Sequence, residues 1–382
     1  MQKILLLIAS LFYFNFILAK NEIKSWQGIH ETPLSCLEQQ FAEPPVEFAN
    51  HVIWGWEGKM DKKTICNDLD SIKKKGFRAV IFEAGYKLPF KYLSEEWFKA
   101  IRTGVLEAKK RGMKVWIIDE GKYPSGFAGG KFSQERPDLR MQALVIGDTI
   151  QIKRREVMTN HKIAPEIISA VAVSTSGAPN RTVAINNGEI SFNAGLDDWK
   201  VLLVKSDFRT AVTRAVNNPN GGKDATNSLC DYLNPIAVQQ FIDWTHEQYK
   251  KYLGKELGTT VLGFRGDEPD YAHLPWTPSI VQTFKETKGY NPTPYLASFF
   301  TASPTIQEQR VKADYWDVWS SLFATHFFKL QADWCAANGV AHITHLNKEH
   351  EMPACVKAEG DYFRNLSKVQ IPGVDAIWNQ IS

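Results

Sequence analysis

The chain predicts a parallel α/β architecture of the (β/α)8-barrel type, and three observations carry that prediction. Short apolar runs alternate with amphipathic helical stretches, the runs are apolar at consecutive positions, and acids gather just past the runs. Continuous apolar runs mark strands buried on both faces. Strand–helix alternation imposes parallel pairing through helical crossovers.

Residues 51–56 read as the first strand, followed by a helix over 61–75 that Gly76 closes. The second strand is 78–83; Ser94 then caps a helix running to Arg111, with Glu95 and Glu96 in its first turn and Gly112 as its stop. Residues 113–118 form the third strand. Over 140–208 the rhythm changes to short Thr/Val/Ile-rich segments divided by turns, with Asn187-Gly188 as a two-residue hairpin turn. This predicts a small β-rich insertion after strand three. Alternation resumes with a helix at 235–253, a strand at 260–264, a helix at 278–288, a long helical stretch at 307–338, and strands at 341–345 and 373–378.

Six strands are two fewer than a closed barrel needs, so the barrel is expected to be incomplete at the point where the chain ends. A doubly wound sheet also accommodates six strands, but no Gly-rich dinucleotide turn follows the first. The expected division is a signal peptide (1–19), a leader (20–50), a first barrel part (51–139), the insertion (140–208) and the barrel's continuation (209–382).

The N-terminus carries its own signal. Lys3 precedes an apolar run over 4–19, broken only by Ser10 and Asn15, and polar Lys20-Asn21-Glu22 follows Ala19. This is the pattern of a secretory signal peptide, and it predicts a secreted, periplasmic or cell-surface protein. The run is short for a membrane span and no stop-transfer stretch follows, so no stable membrane insertion is expected after cleavage. A net charge of +3 provides no field for nucleic acid, and five widely spaced cysteines without a CxxC exclude a disulfide framework or zinc finger. Twelve tryptophans supply flat rings either to a core or to a sugar.

Acids stand past nearly every strand: Glu57, Glu83, Asp119-Glu120, Asp267-Glu268, Glu349 with Glu351, and Asp375. One such acid is ordinarily a helix cap. Acids past six strand ends share one rim, which suits glycosidic cleavage: one carboxyl protonates the leaving oxygen while another activates water or attacks. Glu268 is the expected general acid, its pKa raised by the neighbouring Asp267 charge. Glu349 is the expected base, with Glu351 as its understudy. Asp119, Glu120, Asp267, His345 and Asn347 are expected to hold sugar hydroxyls, and Trp276 to stack on the ring. His345 and His350 leave a metal open. There is no GxSxG elbow and no HExxH. The competing readings are a non-catalytic sugar-binding protein or inactive fragment of such an enzyme, and a polysaccharide lyase, which would use a Tyr, His or Lys base.

Three segments resemble glycoside hydrolase family 106, the α-L-rhamnosidases. They are Ile-Asp-Glu-Gly-Lys-Tyr-Pro-Ser-Gly-Phe-Ala-Gly-Gly at 118–130, Gly-Phe-Arg-Gly-Asp-Glu-Pro at 263–269 with Pro275-Trp276-Thr277, and His345-Leu-Asn-Lys-Glu349 with Glu359-Gly-Asp-Tyr-Phe-Arg364 and Ile371-Pro-Gly-Val-Asp375. The resemblance implies exo-acting removal of a terminal deoxy-sugar with inversion, and a calcium ion at the sugar hydroxyls. Members are longer than this chain, and Arg265-Gly266 stands where relatives more often carry Thr or another small polar residue.

Overall fold

The computed structural model describes residues 33–44, 46, 50–209, 214–215, 228–269, 271 and 274–376. The expected signal peptide and Trp378 lie outside them. Strand β1 (His51–Trp56) leads to α1 (Lys62–Lys74), whose N-cap Asp61 accepts from the Thr64 amide. Next come β2 (Ala79–Ala84), α2 (Glu95–Lys110) and β3 (Lys114–Ile118); Ser94 caps α2 by accepting from the Trp97 amide. Each cap satisfies an amide that the helix itself leaves unpaired.

The segment that follows is antiparallel. Strands β4 (Gln142–Ile152), β5 (Val157–Lys162), β6 (Ile167–Ser174), β7 (Glu189–Asn193) and β8 (Trp199–Phe208) make two sheets. At the hairpin, Ile185–Asn186 pairs with β7, and Asn187 and Gly188 take φ of 50° and 76°. Two successive positive φ values define the turn type that Asn-Gly favours. Ile152, Phe192, Trp199, Val201 and Leu203 form a core belonging to this segment alone.

Parallel structure returns with α3 (Pro235–Trp244), α4 (His246–Leu253) and β9 (Val261–Arg265). Sequence periodicity predicts one helix over 235–253. Instead the backbone breaks at Thr245, with φ −114° and ψ −84°, and the Thr245 hydroxyl donates to the Phe241 carbonyl. Helices α5 (Ile280–Lys288), α6 (Ile306–Phe323) and α7 (Lys329–Ala337) follow, and the long helical stretch is divided by a π-helical turn at Ala324–Phe328. The remaining elements are β10 (Ala341–Thr344), α8 (Met352–Glu359), α9 (Tyr362–Leu366) and β11 (Ile371–Pro372). The last strand thus lies before the expected 373–378. Its partner β10 ends at Thr344, paired with Pro372, and among the described residues the Gly373 amide continues the ladder by donating to the Thr344 carbonyl.

The six parallel strands stand in chain order, β1-β2-β3-β9-β10-β11, with no reversal. Both faces of this sheet are apolar. Phe82, Val115, Ile117, Val261 and Phe264 pack with the α1, α2 and α4 helices, while Ile81, Trp116, Ile118, Leu262 and Ala341 form a separate cluster on the opposite face. This is the burial that continuous apolar runs require. Gly263 allows β3, β9 and β10 to close up: a Cβ there would lie 2.0 Å from the Ala341 carbonyl oxygen and 2.6 Å from the Trp116 ring.

Candidate active site

Parallel register aligns Phe264 with His342 and Arg265 with Ile343, so the ends of β9 and β10 emerge side by side. Past β9 come Gly266, Asp267 and Glu268; past β10 comes His345. The imidazole of His345 is the centre of the cluster. Its Nε2 lies 3.3 Å from Asp267 Oδ1, 3.7 Å from Glu268 Oε1 and 3.8 Å from Asp375 Oδ2. The imidazole is 4 % exposed and the three carboxylates 20–27 %, so the acids form the open side of the group and the ring its floor.

Arg265 fixes the ring's proton. Its Nη2 stands 3.3 Å from His345 Nδ1, and a guanidinium can only donate, so Nδ1 accepts. The neutral ring therefore carries its proton on Nε2, facing the three acids. Glu268 adopts φ +35°, a left-handed conformation that a non-glycine residue holds at a cost of about 1–3 kcal/mol. The upward pKa shift expected in this acid pair is found on Asp267. Burial raises that carboxyl most, the Arg265 guanidinium and the His345 imidazole beside it oppose the rise, and the Glu268 and Glu83 charges add to it.

The loop after β3 forms a wall. Asp119 is fully buried, and its Oδ1 accepts from Ser125 Oγ at 2.7 Å. The same Oγ accepts from the Asp267 amide at 2.7 Å, while the Ser125 amide donates to the Asp267 carbonyl. Burial pushes the Asp119 carboxyl well up, and the nearby Glu120 and Asp267 charges reinforce it. Glu120 points elsewhere. Its carboxylate accepts from the amides of Gly121, Ala128 and Gly129, so it shapes the loop and is not turned to a ligand. Burial raises its pKa to about 7 against those three donors.

The β10 side holds the other expected residues. Asn347 donates from its amide to Glu359 Oε1 and from Nδ2 to the Tyr123 hydroxyl, both at 3.1 Å. The Glu349 carboxylate accepts from the amides of Leu346 and Asp375, which places it beside the cluster as the clasp of the Asp375 loop. Glu351 is exposed at the N-cap of α8 and its side chain makes no capping bond. Trp276 departs furthest from expectation: 7 % exposed, it pairs through its backbone with Gln142 of β4 and packs into the largest core. No open ring face remains for a sugar.

Residue-type reasoning missed Arg265, Ser125 and Glu359, and gave Asp375 no role. Arg265 carried a signal, because it stands where the family has a small polar residue. Ser125 had none beyond its place in the 118–130 segment. Calcium, which the resemblance implies, does not fit this arrangement. It takes six to eight oxygens, whereas Glu268, His345 and Asp375 gather around an imidazole nitrogen that bears a proton.

The family model of glycoside hydrolase family 106, described as alpha-L-rhamnosidase, matches residues 158–381, more than half of the chain. A relative from Formosa agariphila named "Putative beta-glucuronidase" is 23 % identical over 357 residues, covering 80 % of this chain and 30 % of its own length. The solved structure of a rhamnosidase from Novosphingobium sp. PP1Y superposes with a TM-score of 0.61 at 14 % identity, over 89 % of this chain and 49 % of that one. The superposition speaks for the fold, and this chain spans a half or less of either relative. With the motifs of both β9 and β10 inside the matched span, the chain belongs to glycoside hydrolase family 106.

Proposed function

We propose that this chain bears the active site of an exported glycoside hydrolase that releases a terminal uncharged deoxy-sugar, of the α-L-rhamnose kind, from a polysaccharide or glycoconjugate. The observation that carries the reading is the set of three half-buried carboxylates around one buried imidazole Nε2–H, built on the ends of adjacent parallel strands. Glu268 is the proton donor to the leaving oxygen. Glu349, pinned by two backbone amides, is the base that activates water. Asp267, Asp119 and Asn347 line the hydroxyl-binding side, and the buried His345 ring lies beneath the acids.

The barrel is part of this proposal. Strand order follows the chain without the reversal that a doubly wound sheet requires, and a separate apolar cluster fills the face opposite the helices, as a barrel interior does. Export rests on the N-terminal pattern of Lys3 and the apolar run over 4–19. Among the described residues no helix is long and apolar enough to cross a membrane.

Charge favours a neutral sugar over a uronic acid. Among the described residues, the guanidinium beside Asp267, Glu268 and Asp375 is that of Arg265, which is already engaged with His345. A substrate carboxylate would meet net repulsion. The test is hydrolysis of aryl α-L-rhamnosides and aryl β-D-glucuronides by the whole protein. Turnover of the rhamnoside should fall by orders of magnitude in Glu268→Gln and Glu349→Gln with binding largely kept, because each removes a group needed only in the transition state. Preference for the glucuronide, or near-normal turnover in Glu268→Gln, would overturn the reading.

A further inference from the structure

On the helix-facing side of the sheet lies a second group of chemistry-bearing residues that the active site does not use. His246 opens α4, Cys335 sits in the last turn of α7, and His342 is in β10. All three are buried, and each offers one ligand atom within 4.8 Å of the others. The break at Thr245 is what brings His246 to this place. The Thr245 hydroxyl donates its proton to the Phe241 carbonyl at 2.7 Å, so it must accept from His246 Nδ1 at 2.9 Å. The ring proton therefore resides on Nδ1, and Nε2 is a bare lone pair.

That lone pair is buried without a hydrogen-bond partner, and so are both ring nitrogens of His342. Three orphaned imidazole nitrogens beside a thiol are unusual in a protein interior, where buried polar atoms find partners. Gln331, one helical turn before Cys335, is also fully buried with its Oε1 unpartnered, so the same helix face carries a further oxygen donor. Burial keeps both imidazoles in the neutral form that ligates metals, with His342 at about 4 and His246 well below its ordinary value.

We propose that His246, Cys335 and His342 form a buried structural site for a borderline-soft first-row divalent ion, zinc foremost. Two imidazoles and a thiolate are a zinc-class donor set, and hard cations such as calcium or magnesium would demand oxygens. On binding, the Cys335 S–H bond gives way to an S–metal bond and the proton leaves to solvent. Tetrahedral zinc holds N and S ligands about 3.6 Å apart, so the three atoms close on the ion through small side-chain movements. The ion would join α4, α7 and β10 behind the two strands whose ends carry Arg265, Asp267 and His345. Thr245 would act as the outer partner that fixes the ligating nitrogen of His246.

The test uses the full chain freed of metal by a chelator. Cobalt(II) should give the near-ultraviolet absorption of a thiolate-to-cobalt charge transfer at about one equivalent, and zinc should raise the melting midpoint by several degrees. Cys335→Ala should abolish both effects, whereas Glu268→Gln should retain both. Folded wild-type protein that shows no thiolate–cobalt band overturns the proposal, and so does a band that survives Cys335→Ala. Should Cys335→Ala fail to fold, the wild-type cobalt titration decides alone.

Discussion

Glu120 offers the sharpest test of how the active-site loop is held. Its carboxyl is buried and raised from 4.5 to about 7, while three loop amides donate to it. A folded-state pKa above the unfolded one means that the folded protein keeps a proton which the unfolded chain has lost. Stability is then greatest below about pH 4.5, declines through the window up to about pH 7, and levels off above it. One proton over that window corresponds to roughly 3 kcal/mol, at about 1.4 kcal/mol per pH unit. Glu120→Gln removes the ionisation and keeps one carbonyl acceptor. The variant should lose on the order of 1–3 kcal/mol below about pH 4.5, through loop amides left without acceptors, and this deficit should shrink and vanish or reverse above about pH 7, where only the wild type has given up its proton. Its stability should also fall less steeply with rising pH, by about one proton. Urea midpoints between pH 4.5 and 8 measure both effects. Because Asp231 is likewise buried and raised to about 7, the wild-type slope should exceed one proton and the variant should keep the Asp231 share. A variant with the wild-type slope would refute the assignment of this titration to Glu120.

Three further outcomes follow from the same geometry. Arg265→Met removes the guanidinium that opposes the burial-driven rise of the Asp267 carboxyl, so that carboxyl should titrate about one pH unit higher when followed by carboxyl NMR, and an unmoved titration would count against the coupling. Trp276→Ala should destabilise by about 3–5 kcal/mol in thermal melts with KM unchanged in the folded fraction; a tenfold rise in KM without lost stability would restore the ring to the substrate. Gly263→Ala puts a methyl 2.0 Å from the Ala341 carbonyl oxygen, which forces β9 and β10 apart at a cost of about 3 kcal/mol or more, and a wild-type melting curve would show the strands are not so tightly packed.

The parallel strands were legible because being buried on both faces leaves a local mark. Runs such as Val80-Ile81-Phe82 and Val115-Trp116-Ile117 are apolar at every position, since each neighbouring residue faces a different core. The hairpin at Asn187-Gly188 was legible for a similar reason, because its positive φ values restrict residue choice at two adjacent positions. Helix continuity was not. Nothing in the 235–253 periodicity marks Thr245, whose hydroxyl competes for the Phe241 carbonyl and reorients the next helix. Such a side-chain-to-backbone bond is an option for any helical threonine, so the sequence alone does not single out the one that breaks the helix.

The site was legible only as far as position along the chain implies position in space. Counting acids past strands found Asp267, Glu268 and Asp375, because register places those ends on one rim. Counting could not separate acids that face a ligand from acids that build the rim. Glu120 has the same residue type and the same kind of position as Glu268, yet it gives its oxygens to backbone amides. That division depends on which loop folds back over which strand, a tertiary fact. Trp276 shows the converse. A tryptophan beside a strand end reads as a sugar platform until the insertion is in place, and β4 then pairs with Trp276 and closes over it. The insertion therefore does more than extend the chain, for by pairing with the loop after β9 it fixes the far end of the segment whose near end carries Asp267 and Glu268. The geometry of the acids around His345 consequently rests on two sheets, and substitutions in β4 that weaken its pairing with Pro275–Trp276 act on the active site from outside it.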